Sequence, residues 1–238
     1  MIELVALDAD DTLWHNEPLY TGCRDQFSAL LARYDPDVVL DDQLYQVELR
    51  NLANFGYGVK GFVLSMIETA IELTGGRITA EDVRTIIGWG REMLAAPIDL
   101  LDGVREAVEA LAETHPVILV TKGDLLHQES KLARSGMGHL FKGIEIVSEK
   151  DAAVYRRVMT RYGVGADRFL MAGNSLRSDV LPVIEAGGHA VYVPYAISWV
   201  HERVPEEALR DVHFHEIAHL RDLPRLIARL DHPEHVSP

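Results

Sequence analysis

The chain has 238 residues, with 37 acidic against 23 basic side chains and a formal net charge of -14. That excess of negative charge excludes nucleic acid or an anionic membrane surface as the main partner, since either would repel it. A single cysteine, Cys23, leaves no internal disulfide and suits a reducing compartment. The opening lacks the basic region and long apolar core of a signal peptide, and no later window is apolar for long enough to span a membrane, so a cytoplasmic location is expected.

In chain order, Ile2, Leu4, Val5, Ala6 and Leu7 form a short apolar run that reads as a strand buried on both faces. Asp8, Asp10 and Asp11 follow at its C-terminal end, with Thr12 next. Residues 17–96 contain no convincing strand and read as several amphipathic helices, with Leu30, Leu31, Leu64, Ile67 and Ile71 at helical spacing and Gly75, Gly76 and Pro97 as punctuation. A further helix from Asp102 to about Thr114 leads to the apolar strand PVILVT (116–121). Then come a helix with Asp124 as N-cap and Gly136 as stop, GIEIV (143–147), a helix ending at Gly163, RFLMAG (168–173), HAVYV (189–193) and DVHF (211–214). Strands alternating with helices of this length imply an α/β fold with a doubly wound, mostly parallel, Rossmann-like sheet. The expected domains are a core of residues 1–15 plus 98–238 and an all-helical cap of 16–97, inserted over the sheet's C-terminal edge.

In a parallel sheet, all strand C-termini converge on one rim. Asp8, Asp10 and Thr12, then Thr121, Lys150, Asn174 and Asp179, are therefore brought together. Asp8 and Asp10 repel each other unless a cation or a shared proton intervenes, and the whole set suits a divalent cation and a phosphate.

These segments resemble the haloacid dehalogenase superfamily of aspartate-nucleophile hydrolases. Its D-x-D-x-T motif matches LDADDTL, its strand ending in Thr or Ser matches VILVT, its helix-opening Lys matches Lys150, and its G-D-x-x-x-x-D is approximated by GNSLRSD. The resemblance spans essentially the whole chain and implies a magnesium-dependent phosphatase acting on a small phosphorylated metabolite. Asp8 would be the nucleophile, forming an aspartyl phosphate. Asp10, close to an anionic neighbour and therefore readier to hold a proton, would be the acid and base. Asp8, Asp10 through its carbonyl, Asn174 and Asp179 would hold Mg2+, while Thr121 and Lys150 donate to phosphoryl oxygens. Two departures stand out: Asn174 where the family more often has Asp, and Asp151 where a proline usually follows the Lys. The alternatives are a 2-haloacid dehalogenase, which typically lacks an acid at the Asp10 position, a phosphomutase, and a non-catalytic binding protein of the same fold.

Thr12, Lys122, Gly123 and Lys60, the last within GYGVKGF (56–62), complete the expected substrate contacts. Asp11 reads as a capping residue, and Trp14, His15 and Asn16 as entrance or hinge. HEIAH (215–219) matches a zinc-protease pattern that requires one continuous helix, but it follows a strand-like segment and lacks a third ligand at family spacing. Oligomeric state is open.

Overall fold

The computed structural model describes residues 1–37, 39–197 and 199–232. The chain forms two compact units, one comprising Met1–Glu17, Ile98–Lys122 and the chain from Glu129 onward, the other Pro18–Pro97 with Gly123–Gln128.

The first unit is built on strands β1 (Leu4–Leu7), β2 (Val117–Lys122), β3 (Gly143–Val147), β4 (Phe169–Gly173), β5 (His189–Tyr192) and β6 (His215–Glu216). Every pairing is parallel and the order is β3-β2-β1-β4-β5-β6, which places β1 between β2 and β4. Side chains alternate between two cores. Val5, Leu7, Val117, Leu119, Leu170 and Ala172 face Val104, Val108 and Leu111 of helix α5 (Val104–Thr114) and the C-terminal helix. Leu4, Ala6, Ile118, Val120, Phe169 and Met171 face Val154, Tyr155, Val158 and Met159 of a helix after β3. Each fully buried aliphatic side chain contributes roughly 1.5–3 kcal/mol, so the strands can run apolar on both faces.

The last strand differs from expectation. Residues 211–214 are not a strand; β6 begins at His215, pairing with Val191. Its register follows from burial: Phe214 packs edge-on against Tyr192, while Ile217 enters the core on the other side. His215 and Glu216 are thus strand residues, and the HEIAH match lacks the helix that its chemistry requires.

Helices α1 (Glu17–Leu31), α2 (Leu40–Phe55), α3 (Val59–Thr74) and α4 (Ala80–Ala95) form most of the second unit. Its core contains Phe27, Leu30, Leu31, Leu44, Phe62, Met66, Ala70 and Ile86. The helical period is as expected, but on α3 the buried face is Phe62, Met66 and Ala70, and Leu64 and Ile71 are exposed. Gly90 lets α4 approach α3 closely, since a Cβ there would run into Val63. Among the described residues no helix is long and apolar enough to cross a membrane.

Candidate active site

The rim of the first unit is assembled from the ends of β1, β2 and β4 and the start of α7 (Ala152–Tyr162). At the end of β1 the main-chain N–H of Asp8 still donates to Ala172 O of β4 (3.0 Å), which fixes where its carboxylate emerges. The chain then turns tightly, with Leu13 N–H on Ala9 O (2.8 Å) and Asp11 in the left-handed region at φ 61°. That conformation aims the Asp11 carboxylate at the N–H groups of Asn16 (2.9 Å) and Glu17 (3.0 Å), capping the start of α1. Burial raises the Asp11 carboxyl to about 7 despite those bonds.

Lys150 stands between two carboxylates, donating to Asp8 Oδ1 at 2.5 Å and to Asp179 Oδ1 at 2.7 Å, with all three side chains buried. Burial, reinforced by Asp179, pushes the Asp8 carboxyl up to about 7 against the pull of Lys150. Burial also opposes the Lys150 charge, but Asp179 and Asp8 outweigh it and hold the ammonium well above its ordinary range. Asp151, in place of the usual proline, caps α7 by accepting from Val154 N–H at 2.7 Å.

Asp179 was expected among the metal ligands. The structure instead spends its Oδ1 on Lys150 and its Oδ2 on Ser175 N–H (3.0 Å), inside the π-helical turn Leu176–Val180 that follows β4. Gly173 is required by this packing, because a Cβ there would overlap the Asp179 carboxylate. Thr12, expected at the substrate, is 2% exposed; its hydroxyl donates to Asp8 Oδ2 (3.0 Å) and accepts from Asn174 N–H (3.1 Å), tying β1 to β4.

The Asn174 side-chain oxygen lies 3.1 Å from Asp8 Oδ2 and 3.3 Å from both the Asp10 main-chain oxygen and Thr12 Oγ1. Adjacent ligands of an octahedral magnesium shell stand about 3 Å apart, given metal–oxygen distances of about 2.1 Å. Asp8 Oδ2, Asp10 O and the Asn174 amide oxygen therefore fit a small hard cation. Among the described residues no three His, Cys, Asp or Glu side chains group as a metal site. The set here is one carboxylate, one carbonyl and one amide.

The Asp10 carboxylate is close enough to Asp8 and Asp11 to raise both of their carboxyls, and it is also met by donors. Its Oδ1 accepts from Trp14 Nε1 (2.7 Å) and from Lys131 Nζ (2.6 Å), and Lys131 also reaches Asn16 Oδ1 (3.0 Å). Thr121, 1% exposed, is the penultimate residue of β2, its hydroxyl donating to Lys122 O at 3.3 Å. Lys122, expected at phosphate, donates instead to Glu202 Oε1 (2.6 Å) and Ser178 Oγ (2.9 Å). Gly123, at φ 130°, and Lys60 belong to the second unit, where Lys60 Nζ bonds Asp124 Oδ2 at 2.8 Å.

Lys131 and Glu202 were missed. Glu202 lies in an irregular stretch after β5 where no motif points to it. Lys131 had a usable signal: the chain contains 18 Arg but only five Lys, and Lys122, Lys131 and Lys150 are all buried or nearly so and paired with a carboxylate at this rim. An ammonium concentrates its charge on one nitrogen, which suits a site where several carboxylate oxygens converge.

A doubly wound parallel sheet with an aspartate pair after its central strand, a Thr near the end of the second and a Lys just before a helix defines a class of aspartate-dependent hydrolases. The model of haloacid dehalogenase-like hydrolases matches residues 2–187, and the chain belongs to that family. It is similar to a solved haloacid dehalogenase-like family hydrolase from Xanthomonas campestris, at 45% identity over 97% of this chain and 92% of that one, with a TM-score of 0.87. A 2-haloacid dehalogenase from Pseudomonas syringae pv. Tomato shares 22% identity over 97% of this chain and 100% of that one, TM-score 0.63. YfnB of Bacillus subtilis, a HAD-hydrolase solved with magnesium, shares 18% over 95% of this chain and 99% of that one, TM-score 0.67. The last two establish likeness of fold. A search of curated proteins finds no match.

Proposed function

We propose that this hydrolase is a magnesium-dependent phosphatase of a small phosphomonoester in the cytoplasm, acting through an aspartyl phosphate on Asp8, with the helical unit as its cap. The observation that supports this most is the convergence of Asp8 Oδ2 and Asp10 O on the Asn174 amide oxygen, at 3.1 and 3.3 Å from it. Carbon–halogen cleavage needs no such cation site, and its enzymes typically lack an acid at the Asp10 position.

In this reading the Asp8 carboxylate attacks phosphorus and the bond to the ester oxygen breaks. Asp10, oriented by Trp14 and Lys131, delivers the proton that the leaving alcohol needs. It then takes a proton from the water that attacks the acyl phosphate, which releases inorganic phosphate and restores Asp8. Lys150 holds the Asp8 carboxylate in place and sets positive charge beside the transferring phosphoryl oxygens, with Thr121 as a donor at the same rim. A bound magnesium ion would supply the remaining charge compensation between the nucleophile and the anionic substrate.

A second reading, 2-haloacid dehalogenase, draws on Asn174 itself. With its amide turned over, the NH2 group donates to Asp8 Oδ2 at 3.1 Å and to Asp10 O at 3.3 Å, and the cluster is complete without a cation. Assaying p-nitrophenyl phosphate with and without magnesium, beside halide release from 2-haloacids in metal-free buffer, decides between them. Magnesium-dependent phosphate release that Asp8→Asn abolishes is the expected result; halide release alone overturns the proposal.

A further inference from the structure

Glu202 is 28 residues downstream of Asn174, outside every motif, yet it is the acceptor on which three groups of the rim converge. Its Oε1 takes Lys122 Nζ at 2.6 Å, and its Oε2 takes the Ser178 hydroxyl at 2.7 Å and the Ser175 hydroxyl. Lys122 Nζ also donates to Ser178 Oγ (2.9 Å), and Ser175 Oγ in turn accepts Ser178 N–H (3.0 Å). The ring is closed, and the chain on both sides is pinned as well, since Arg177 donates to His201 O at 2.9 Å.

What this ring encloses is the turn that carries the site. Residues 174–179 leave β4 in a π-helical turn, with Val180 N–H on Ser175 O at 3.2 Å, a geometry that an isolated chain rarely adopts and that is concentrated at functional sites. Ser175 and Ser178 are buried within it. Because Glu202 accepts their hydroxyl protons, Ser175 keeps a lone pair for Ser178 N–H, which holds the turn at its tight start. Asn174 immediately precedes Ser175, and its amide oxygen must stay within 3.1 Å of Asp8 Oδ2 to share one cation with it.

We propose that Glu202 is a positioning residue for the cation site: through Ser175 and Ser178 it fixes the turn that presents the Asn174 amide oxygen to Asp8 and Asp10. This rests on the magnesium-dependent reading above. Lys122 is accordingly a strut between the ends of β2 and β4, not a free ligand for substrate.

The test is binding of Mn2+ as a magnesium surrogate to the whole, substrate-free protein, followed by electron paramagnetic resonance. Outer-shell residues typically influence metal affinity by roughly 10–100-fold, and Glu202→Ala is expected to lose that much. Lys122→Met/Glu202→Gln removes both charges together and keeps an amide on the serines, so it is expected to bind Mn2+ nearly as the wild type does. It also keeps the test decisive should the alanine variant fail to fold. Leu111→Ala, a truncation in the other core of the sheet, which contains no residue of the turn, is expected to lower stability and leave Mn2+ affinity unchanged. Wild-type affinity in a folded Glu202→Ala overturns the assignment, as does a double variant bound as poorly as the alanine variant, which would mean that Glu202 acts by charge alone. Equal weakening in Leu111→Ala would reduce the effect to general loosening and overturn it too. A wild type that binds no Mn2+ at all overturns the metal reading itself.

Discussion

The ammonium of Lys131 stands 2.6 Å from Oδ1 of Asp10, a residue 121 positions away in the sequence. The lysine side chain is 6% exposed, so its charge depends on that carboxylate for compensation. Lys131→Met should leave the Asp10 carboxylate held by Trp14 without its ammonium partner and lose about 1–3 kcal/mol of stability, the usual contribution of a hydrogen bond to a charged group. Urea unfolding measures this, and a variant as stable as the wild type would show that the pair contributes nothing.

Asp10→Asn isolates the acid role. Alkyl phosphates need a proton on the departing oxygen and should slow by roughly 10²–10⁴-fold, the usual contribution of a positioned general acid. p-Nitrophenolate leaves readily, so its ester should be affected much less. Equal losses for both substrates would remove Asp10 from that role.

Asn174 and Asp179 should now separate cleanly. Asn174→Asp adds a charge at the oxygen cluster and should lower the magnesium concentration for half-maximal activity, without a gain in turnover. Asp179→Asn withdraws one of the two carboxylates that hold Lys150, so about 3–5 kcal/mol of stability should go. Its magnesium requirement should shift less than that of Asn174→Asp moves in the other direction. Magnesium titrations paired with thermal melts check both, and an unchanged requirement in Asn174→Asp would place residue 174 outside the metal shell.

Glu202 gives a pH dependence of definite sign. Burial works against its charge, but Lys122 and the two serine hydroxyls prevail and hold the carboxyl down to about 2. A carboxyl depressed on folding contributes stability that is full above its ordinary pKa and is lost as pH falls from there toward the folded value. The contribution is at most about 3 kcal/mol. The stability gap between wild type and Glu202→Gln should therefore be widest near pH 6 and narrow steadily between pH 4.5 and pH 2. A gap that is constant with pH would contradict the depressed carboxyl.

The sequence by itself determined the sheet up to its last strand, its helices and the meeting of Asp8, Lys150 and Asn174 at the rim. Apolar runs such as PVILVT can be satisfied only by burial on both faces, and parallel strands bring their C-terminal ends together wherever the chain between them wanders. Asp8 and Lys150, which the structure joins by a hydrogen bond, were legible for that reason. The tertiary structure alone decided the partnerships. Asp10 and Asp179 are both acids beside an apolar strand, and nothing local says that one faces Lys131 and Trp14 while the other shares Lys150 with Asp8. Glu202 and Ser175 meet because β5 and the irregular segment after it return to the rim, so their bond is set by topology. Side-chain chemistry is written residue by residue, but a hydrogen bond depends on a distance across the fold, and that distance is fixed only when all the strands are in register.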